Sequence, residues 1–393
     1  MKMTIRISAL LVPALLLSAC GPKRTAQGLM DDPRTHSDRG KQYYDKGELD
    51  RAKSEYRLAL ELDKNFAPAL GGLAMVKASE RDFDSAEDLA SKAVSKADDK
   101  LPDGYIAKGV VIAEKGKGGK NAEWFEDAEK AFRKAIKIDG QSGEAYYRLG
   151  NAAAWASLSA ARDEEYVELI RKSGDAYRKT ISIDRVYATE ANAAWSRVQK
   201  VERALPGTRV GRKIAMVDSI SRADAAALFM AELQIDRILA RSRGAKFDTG
   251  FKAPVDPMAV KGDDAKKAIA SDIKGHWAEN FIVDAVGLGI RGLQVQPDGK
   301  FLPGQSLTRA EFAFLLEDVL MIALNDKTLA TKYIGAPARF TDVAASSPYS
   351  NAIDNMVDKN ILQGESDGSF GALKPVSGAD ALLAIRTIKE LRK

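Results

Sequence analysis

The chain has 393 residues, of which 45% are apolar and 29% are charged, so its composition excludes a low-complexity disordered protein. The length predicts two or three domains. The formal charge is only +5, and no dense cluster of lysine and arginine is interleaved with aromatic residues, so we do not expect nucleic acid as a partner.

The first 20 residues have the pattern of a targeting signal. Lys2 and Arg6 precede a short apolar run that is too short to span a bilayer comfortably. The run ends in Leu-Ser-Ala-Cys at 17–20, which resembles the lipobox of bacterial lipoproteins. The resemblance implies that residues 1–19 are a signal peptide and that Cys20 becomes the lipidated first residue. An ordinary secretory signal is the alternative.

Cys20 is the only cysteine of the sequence, which excludes disulfides within the chain and cysteine-based metal sites. Because glycine rather than aspartate follows it, the resemblance to Gram-negative lipoproteins favours the outer membrane over the inner membrane. Several acyl chains would give a stable membrane anchor. Residues 20–34 are polar and contain Pro22, Gly28 and Pro33, so we predict a flexible tether there.

Residues 35–205 carry a repeat of about 34 residues with a helical pattern. Alanines seven positions apart let paired helices approach closely, and an aromatic residue between them fills the neighbouring groove. The positions that recur are Ala52, Tyr56 and Ala59, then Ala86, Ala90 and Ala93, then Ala128, Phe132 and Ala135, and in a weaker copy Tyr177 and Thr180. Residues 186–205 are predicted to close the stack as a capping helix.

A two-helix repeat of this length resembles the tetratricopeptide repeat. The resemblance implies a helical solenoid whose concave groove binds a protein partner. A spacer without a specific partner is the alternative.

The region 206–393 carries a different repeat, in units at about 206–235, 271–320 and 340–390. Two of the units share an aspartate, an aromatic residue, a glycine and an Asp-Gly pair. These matches are Asp272 with Asp342, Trp277 with Tyr349, Gly292 with Gly364, and 298–299 with 367–368. Because Asp-Gly favours a tight hairpin turn, each unit is predicted to contain a helix, a loop, a small β-hairpin and a capped helix.

The capped helices begin alike in all three units. Thr308 with Glu311 predicts a capping box, and the same spacing joins Ser221 with Asp224 and Ser377 with Asp380. The residue after the cap is Arg309 in one unit and Arg222 in another, although the positive end of a helix disfavours a cation. In the third unit this position is Gly378.

This order of motifs resembles the S-layer homology domain. The resemblance implies three units around a pseudo-threefold axis and non-covalent attachment to cell-wall polysaccharide, such as a pyruvylated polymer or a modified peptidoglycan. A helix start with free N–H groups is an anion site, and an arginine there can hold a carboxylate.

From this resemblance we expect Arg309 to be an anion clamp and Arg222 a weaker second clamp. Trp277 is expected to form a wall on which a sugar stacks, and Gly292 to allow close backbone approach. Gly378 cannot clamp an anion, so the third groove is expected to be inactive. Alternatively, Trp277 is a core residue, and Arg309 pairs with the carboxylate of Glu311 or Asp272.

The two histidines, His36 and His276, do not have the spacing of a metal site, and no cysteine is available as a nucleophile. We therefore expect no enzymatic activity, no cofactor and no metal.

The sequence predicts a mainly α protein, with a tetratricopeptide-type solenoid followed by an α-helical S-layer homology region that contains small β-hairpins. The predicted function is a lipid-anchored cell-envelope adaptor that binds wall polysaccharide or peptidoglycan and a protein partner. The alternative is an assembly factor for an envelope secretion, pilus or polysaccharide-export complex, in which the wall-binding region is vestigial.

Overall fold

The computed structural model describes residues 25–28, 30–98, 100–119, 122–244 and 270–392. The predicted signal peptide and Cys20 lie outside the described residues. In the part that is described, the regular structure is helical, and the β-structure consists of two isolated β-bridges. The predicted mainly α fold class is confirmed. Among the described helices, none is long and apolar enough to cross a membrane.

The repeat region consists of consecutive helices joined by short loops. They are α1 (Pro33–Asp45), α2 (Leu49–Leu62), α3 (Ala67–Ser79), α4 (Phe83–Ala97), α5 (Asp103–Gly116), α6 (Trp124–Ile138), α7 (Gly143–Ser157), α8 (Asp163–Ile183) and α9 (Ala188–Ala204). Asp32 caps α1 by accepting from the N–H groups of Arg34 and Thr35. The first repeat therefore includes the last residues of the segment that was predicted as a tether.

The C-terminal region is built from shorter helices. They are α10 (Arg209–Ala215), α11 (Arg222–Ala227), a π-helical turn (Leu228–Glu232), α12 (Ile235–Gly244), α13 (Glu279–Leu288), α14 (Arg309–Leu324), a 3₁₀ turn (Lys327–Ala330), α15 (Ser350–Asp358) and α16 (Gly378–Leu391).

The chain divides into two compact units. The described residues up to 115 together with 130–140 form the first, and the described residues of 116–129 and from 141 onward form the second. The boundary predicted between 205 and 206 lies inside the second unit. There α9 packs against α16, and Lys200 Nζ lies 2.7 Å from Asp380 Oδ1. The last repeat helices and the C-terminal region therefore belong to one packed body.

In the first compact unit, aromatic rings pack onto glycines of neighbouring helices. Tyr56 is buried against Gly40 and Gly72, where an added Cβ would come within 2.8 and 2.1 Å of the ring. Phe132 lies in the same way on Gly109, at 2.6 Å from the position of such a Cβ. The recurring aromatic residues therefore fill space that only glycine leaves open.

The second and fourth repeats have other residues at the recurring positions, and these residues are still buried. In the second repeat, buried Ala90 takes the place of the aromatic residue. In the fourth, the two small positions hold buried Ser173 and Thr180, whose hydroxyls donate to the carbonyl oxygens of Gly150 and Ala176 at 2.9 and 3.1 Å. Because these hydroxyls are hydrogen-bonded, they can occupy positions that alanine fills elsewhere.

A ring of three backbone hydrogen bonds joins the three units of the C-terminal region. The N–H of Ile220 donates to Val376 at 2.8 Å, the N–H of Val376 to Leu307 at 3.2 Å, and the N–H of Leu307 to Ile220 at 3.0 Å. All three residues are buried. Each of the three residues directly precedes the N-cap of a helix: α11, α14 or α16. The ring therefore brings the starts of these three helices to one pseudo-threefold axis.

Each helix start is capped by its own side chains. Thr308 with Glu311 and Ser221 with Asp224 form complete capping boxes. Ser377 caps α16 by accepting from the N–H of Asp380.

The first N–H groups of these helices are not free for an anion, contrary to the expectation from the sequence. The first N–H of each helix donates to a carbonyl oxygen of another unit at 2.9 Å: Arg222 to Gln305, Arg309 to Lys374, and Gly378 to Val217. Neighbouring backbone thus satisfies the groups that an anion would otherwise use.

The predicted β-hairpins are tight turns rather than paired strands in the residues described. The N–H of Gln296 donates to Lys300 at 2.8 Å, and the N–H of Glu365 donates to Ser369 at 2.7 Å. The first unit lacks this turn, because α10 ends at Ala215 and the chain runs directly to the cap at Ser221.

Gly378→Ala should strongly destabilise the protein. A Cβ at this position would lie 1.6 Å from the carbonyl oxygen of Ile214, so the backbone of the ring would have to move. We expect the free energy of unfolding to fall by about 3 kcal/mol or more, at the upper end of overpacking costs. Urea unfolding followed by circular dichroism measures this.

Gly304→Ala is the matched control, because nothing lies within 4 Å of its added Cβ. That variant should change stability by less than about 1 kcal/mol. Equal effects for the two variants would show that the close approach at Gly378 is not a constraint.

Candidate functional site

A groove of about 320 Å³ lies where the three units of the C-terminal region meet. The start of α11, the loop after α13, the first turns of α14 and the segment before α15 form its walls. Its lining residues are Arg222, Gly292, Gln294, Gln296, Gln305, Leu307, Glu311, Phe314, Leu315, Pro348 and Tyr349.

Arg222 forms the buried base of the groove and is only 6% exposed. Its Nε, Nη1 and Nη2 donate to the carbonyl oxygens of Phe301, Gly292 and Gln294 at 2.8, 2.5 and 2.9 Å. The guanidinium also lies 4.7 Å from the centre of the Phe301 ring. The side chain therefore carries its charge away from the positive helix end and onto three carbonyl oxygens.

Arg309 repeats this arrangement one unit further along the chain. Its Nε and Nη2 donate to the carbonyl oxygens of Phe370 and Gln363 at 3.0 and 2.5 Å, and the guanidinium lies 4.7 Å from the Phe370 ring centre. The alternative partners predicted for it are engaged elsewhere: Glu311 accepts from Thr308, and Asp272 accepts from backbone N–H groups. Both arginines thus join one unit to the next.

Gly292 is required by the shape of the groove. Its φ of +83° is unfavourable for other residues, and an added Cβ would lie 2.5 Å from Leu315 Cδ2. Its carbonyl accepts from Arg222 and its N–H donates to Gln294 Oε1 at 2.8 Å. The structure therefore brings two predicted site residues, Arg222 and Gly292, into direct contact.

The predicted match of Gly292 with Gly364 is wrong. The arginine contacts and the turn hydrogen bonds align Gln294 with Gln363 and Gln296 with Glu365. Gly364 then falls at the position of Val295, and the loop of the last unit is shorter. This shortening leaves no counterpart of Gly292 in the last unit.

Three glutamines and two aromatic rings line the groove together with Leu307, Glu311, Leu315 and Pro348, and the sequence did not single out the glutamines or the rings. Gln294, Gln296 and Gln305 are exposed. The rings of Phe314 and Tyr349 meet edge to face at 6.0 Å. The Gln-Val-Gln run and the match of Tyr349 with Trp277 were the available signals.

Trp277 lies outside this groove lining. It is 56% exposed, with its ring 5.8 Å from that of His276 and 6.5 Å from that of Phe281. This exposure excludes the core interpretation of Trp277. The tryptophan and Arg309 do not line the groove that Arg222 and Gly292 share.

The turns beside the groove are held by two aspartates at equivalent positions. Asp272 accepts from the N–H groups of Phe301 and Leu302, both at 2.8 Å, and Asp342 accepts from Phe370 and Ala372. Burial alone raises the pKa of each carboxyl, but the backbone N–H groups outweigh burial and hold the pKa below its ordinary value. The shared aspartate is therefore a structural residue of the turn.

A buried polar network behind the groove positions the two aromatic rings. Glu317 accepts from the amides of Asn351 and Asn355 at 2.5 and 2.9 Å and from Arg291 Nη2 at 3.0 Å. Asn351 lies two residues after Tyr349, and the Arg291 guanidinium is 4.9 Å from the Phe314 ring centre. These residues, which the sequence did not reveal, lie beside the two aromatic rings and support them from behind.

The described residues contain no group of three or more histidine, cysteine, aspartate or glutamate side chains arranged to hold a metal ion. His36 lies in the first compact unit, with Nδ1 2.7 Å from Glu55 and Nε2 2.8 Å from Asp31. Burial lowers the pKa of His36, but these two hydrogen bonds raise it above its usual value. The cluster ties α1 to α2.

Replacing Arg222 with lysine should cost more stability than the same change at Arg309. One ammonium cannot reach three carbonyl oxygens around the buried guanidinium plane, so we expect Arg222→Lys to cost about 2–3 kcal/mol. Arg309 is half-buried and donates to two carbonyls, so Arg309→Lys should cost about 1 kcal/mol. Urea unfolding of the two variants gives the comparison, and the reverse order would contradict it.

Two protein-family models match parts of this chain. The S-layer homology domain model matches residues 271–313 and 339–382, and a tetratricopeptide repeat model matches residues 34–66. A search of curated proteins finds no match. The first unit of the ring, at about 206–235, lies outside both S-layer homology matches and joins the other two through its geometry.

Both families are binding modules rather than catalytic domains. S-layer homology segments suggest binding to the cell wall and association with the envelope, and the tetratricopeptide repeat suggests interaction with a protein. The predicted resemblances to the tetratricopeptide repeat and to the S-layer homology domain are confirmed over these residues, and the resemblance of residues 17–20 to a lipobox stays a prediction.

Proposed function

We propose that this chain is a lipid-anchored adaptor of the cell envelope that binds wall polysaccharide or peptidoglycan through the groove and a protein through its helical repeats. The observation that carries the proposal is the groove of glutamine amides and aromatic rings at the joint of the three units. It lies within the region that matches the S-layer homology domain.

The chemistry of the groove suits a sugar polymer. Glutamine side chains both donate and accept hydrogen bonds, as hydroxyl and acetamido groups require. The rings of Phe314 and Tyr349 offer apolar surface to the C–H faces of a sugar ring. A volume of about 320 Å³ is at the lower end for small-ligand sites and accommodates part of a chain that continues into solvent.

In this proposal the predicted residues have unequal roles. Arg222 and Gly292 shape the base of the groove. Arg309 and exposed Trp277 belong to further contact regions on the same C-terminal domain. Gly378 offers no side chain, and the unit that faces it lacks the turn that would form a groove.

The other two parts of the adaptor rest on the N-terminal half. Cys20 carries the lipid that anchors the chain to the outer membrane, and the residues before α1 are the tether. The repeat helices provide the surface for the protein partner. An assembly factor for an envelope complex would share these parts but would not need a functional groove.

Tyr349→Ala and Gln296→Ala should weaken binding to purified sacculi of the source organism. Each removes a contact worth about 0.5–1.5 kcal/mol, which corresponds to a two- to tenfold loss of affinity. Sedimentation of residues 21–393 with sacculi measures the bound fraction. The whole region is needed because a fragment from 206 onward would lose α9, which packs against α16.

Gln42→Ala, at an exposed glutamine of α1, is the matched control and should pellet as the unaltered chain does. Trp277→Ala tests the second aromatic site in the same assay. If the unaltered chain stays in the supernatant, wall attachment is wrong and the assembly-factor alternative stands.

Cys20→Ala should move the protein from the membrane fraction to the soluble periplasmic fraction, because the acyl chains provide the anchor. Globomycin, which blocks lipoprotein signal cleavage, should cause the unaltered precursor to accumulate. Fractionation with immunoblotting gives both results. An unchanged membrane fraction for the variant would contradict the lipid anchor.

A further inference from the structure

We infer that the groove binds an uncharged glycan, rich in hydroxyl and acetamido groups, rather than an acid-substituted anionic polymer. This inference rests on the proposed wall attachment and specifies its ligand class. It follows from the direction of the charged side chains at the groove. It also follows from the guanidinium and backbone N–H groups that already donate to protein oxygens.

Among the described residues that line the groove, Arg222 is the only cation, and it is buried at the base. Three of its five guanidinium N–H groups donate to carbonyl oxygens, and the side chain is only 6% exposed. The positive charge therefore faces backbone dipoles and the Phe301 ring. A carboxylate in the groove would have to reach the two remaining N–H groups of a side chain that is only 6% exposed.

Arg291 and the first donor of α11 are also engaged, and the exposed Lys300 lies outside the groove lining. Arg291, behind the Phe314 ring, donates to Asp318 at 2.9 Å and to Glu317 at 3.0 Å. Lys300, on the adjacent turn, lies 3.9 Å from Asp298. The first N–H of α11 donates to Gln305. In the part of the chain that the structure describes, an anion in the groove therefore meets neither an exposed guanidinium nor a free helix start.

The groove wall also carries a carboxylate. Glu311 lines the groove, and its Oε2 accepts from the N–H and the hydroxyl of Thr308 at 2.8 and 2.9 Å. This capping role keeps the carboxylate at the wall, where it repels a second negative charge. What remains for a ligand is the set of three glutamine amides and the two aromatic rings, which recognise uncharged polar groups.

A charge-reversal pair at Gln296 tests the ligand class. Gln296 is exposed, and its turn is held by its backbone N–H and carbonyl, so Gln296→Lys and Gln296→Glu leave the turn intact. With an uncharged glycan, both variants lose an amide contact and should bind sacculi about three- to tenfold more weakly. With an anionic polymer, the lysine variant binds more tightly and the glutamate variant more weakly.

The controls are Gln42→Lys and Gln42→Glu, which make the same charge changes on an exposed residue of α1. The affinity of each Gln296 variant is divided by that of the Gln42 variant with the same charge change. This ratio removes the general attraction between protein charge and sacculi. Salt gives a second measure: raising NaCl from about 0.1 to 1 M shortens the Debye length from about 10 to 3 Å and should change affinity less than about twofold.

The outcomes separate this inference from the proposed function. Equal losses for the two Gln296 variants, with little salt dependence, support an uncharged ligand. Opposite effects, or a tenfold or greater loss in high salt, overturn it while wall attachment stands. If both variants bind sacculi as tightly as the unaltered chain, the ligand lies outside the groove, and this result also overturns the inference. If the unaltered chain does not pellet at all, wall attachment and this inference fall together.

Discussion

The C-terminal region depends on a closed ring of three backbone hydrogen bonds among Ile220, Leu307 and Val376. Each residue uses both its N–H and its carbonyl in the ring, so each unit needs the other two. Because all three are buried, removing one unit would leave a donor and an acceptor unpaired at a cost of about 1–3 kcal/mol each. The ring therefore explains why a first unit without a turn is retained: it completes the backbone pairing.

The residue after each cap reflects what the neighbouring unit presents to it. Arg222 and Arg309 each face a loop and turn whose carbonyl oxygens and phenylalanine ring receive a guanidinium. Gly378 faces the end of α10, where the Ile214 carbonyl lies too close for any side chain. An arginine at a positive helix end is thus stable because its charge is held by another unit, and glycine occurs where no such cradle exists.

The sequence was informative where the deciding contacts are local or periodic. Capping residues lie three positions apart, and the repeat positions recur at a fixed spacing, so both could be predicted. The partners of the arginines could not, since Arg222 and Phe301 are 79 residues apart. The groove was missed for the same reason: its glutamines and Phe314 lie in the second unit, whereas Arg222 comes from the first and Tyr349 from the third, and only the folded ring brings them together. The shortened loop of the last unit also misled the alignment of Gly364.

The packing of α9 bears on how an adaptor could transmit force. This helix follows the last repeat, yet it contacts α16, and Lys200 pairs with Asp380 beside the cap of that helix. Arg212 of α10 in turn lies 4.7 Å from the ring of Tyr166 on α8 and pairs with Asp163. A load applied to the last repeat therefore reaches the ring through packed side chains within one compact unit, not through a free linker. The same packing fixes the distance between the last repeat and the groove within this compact unit.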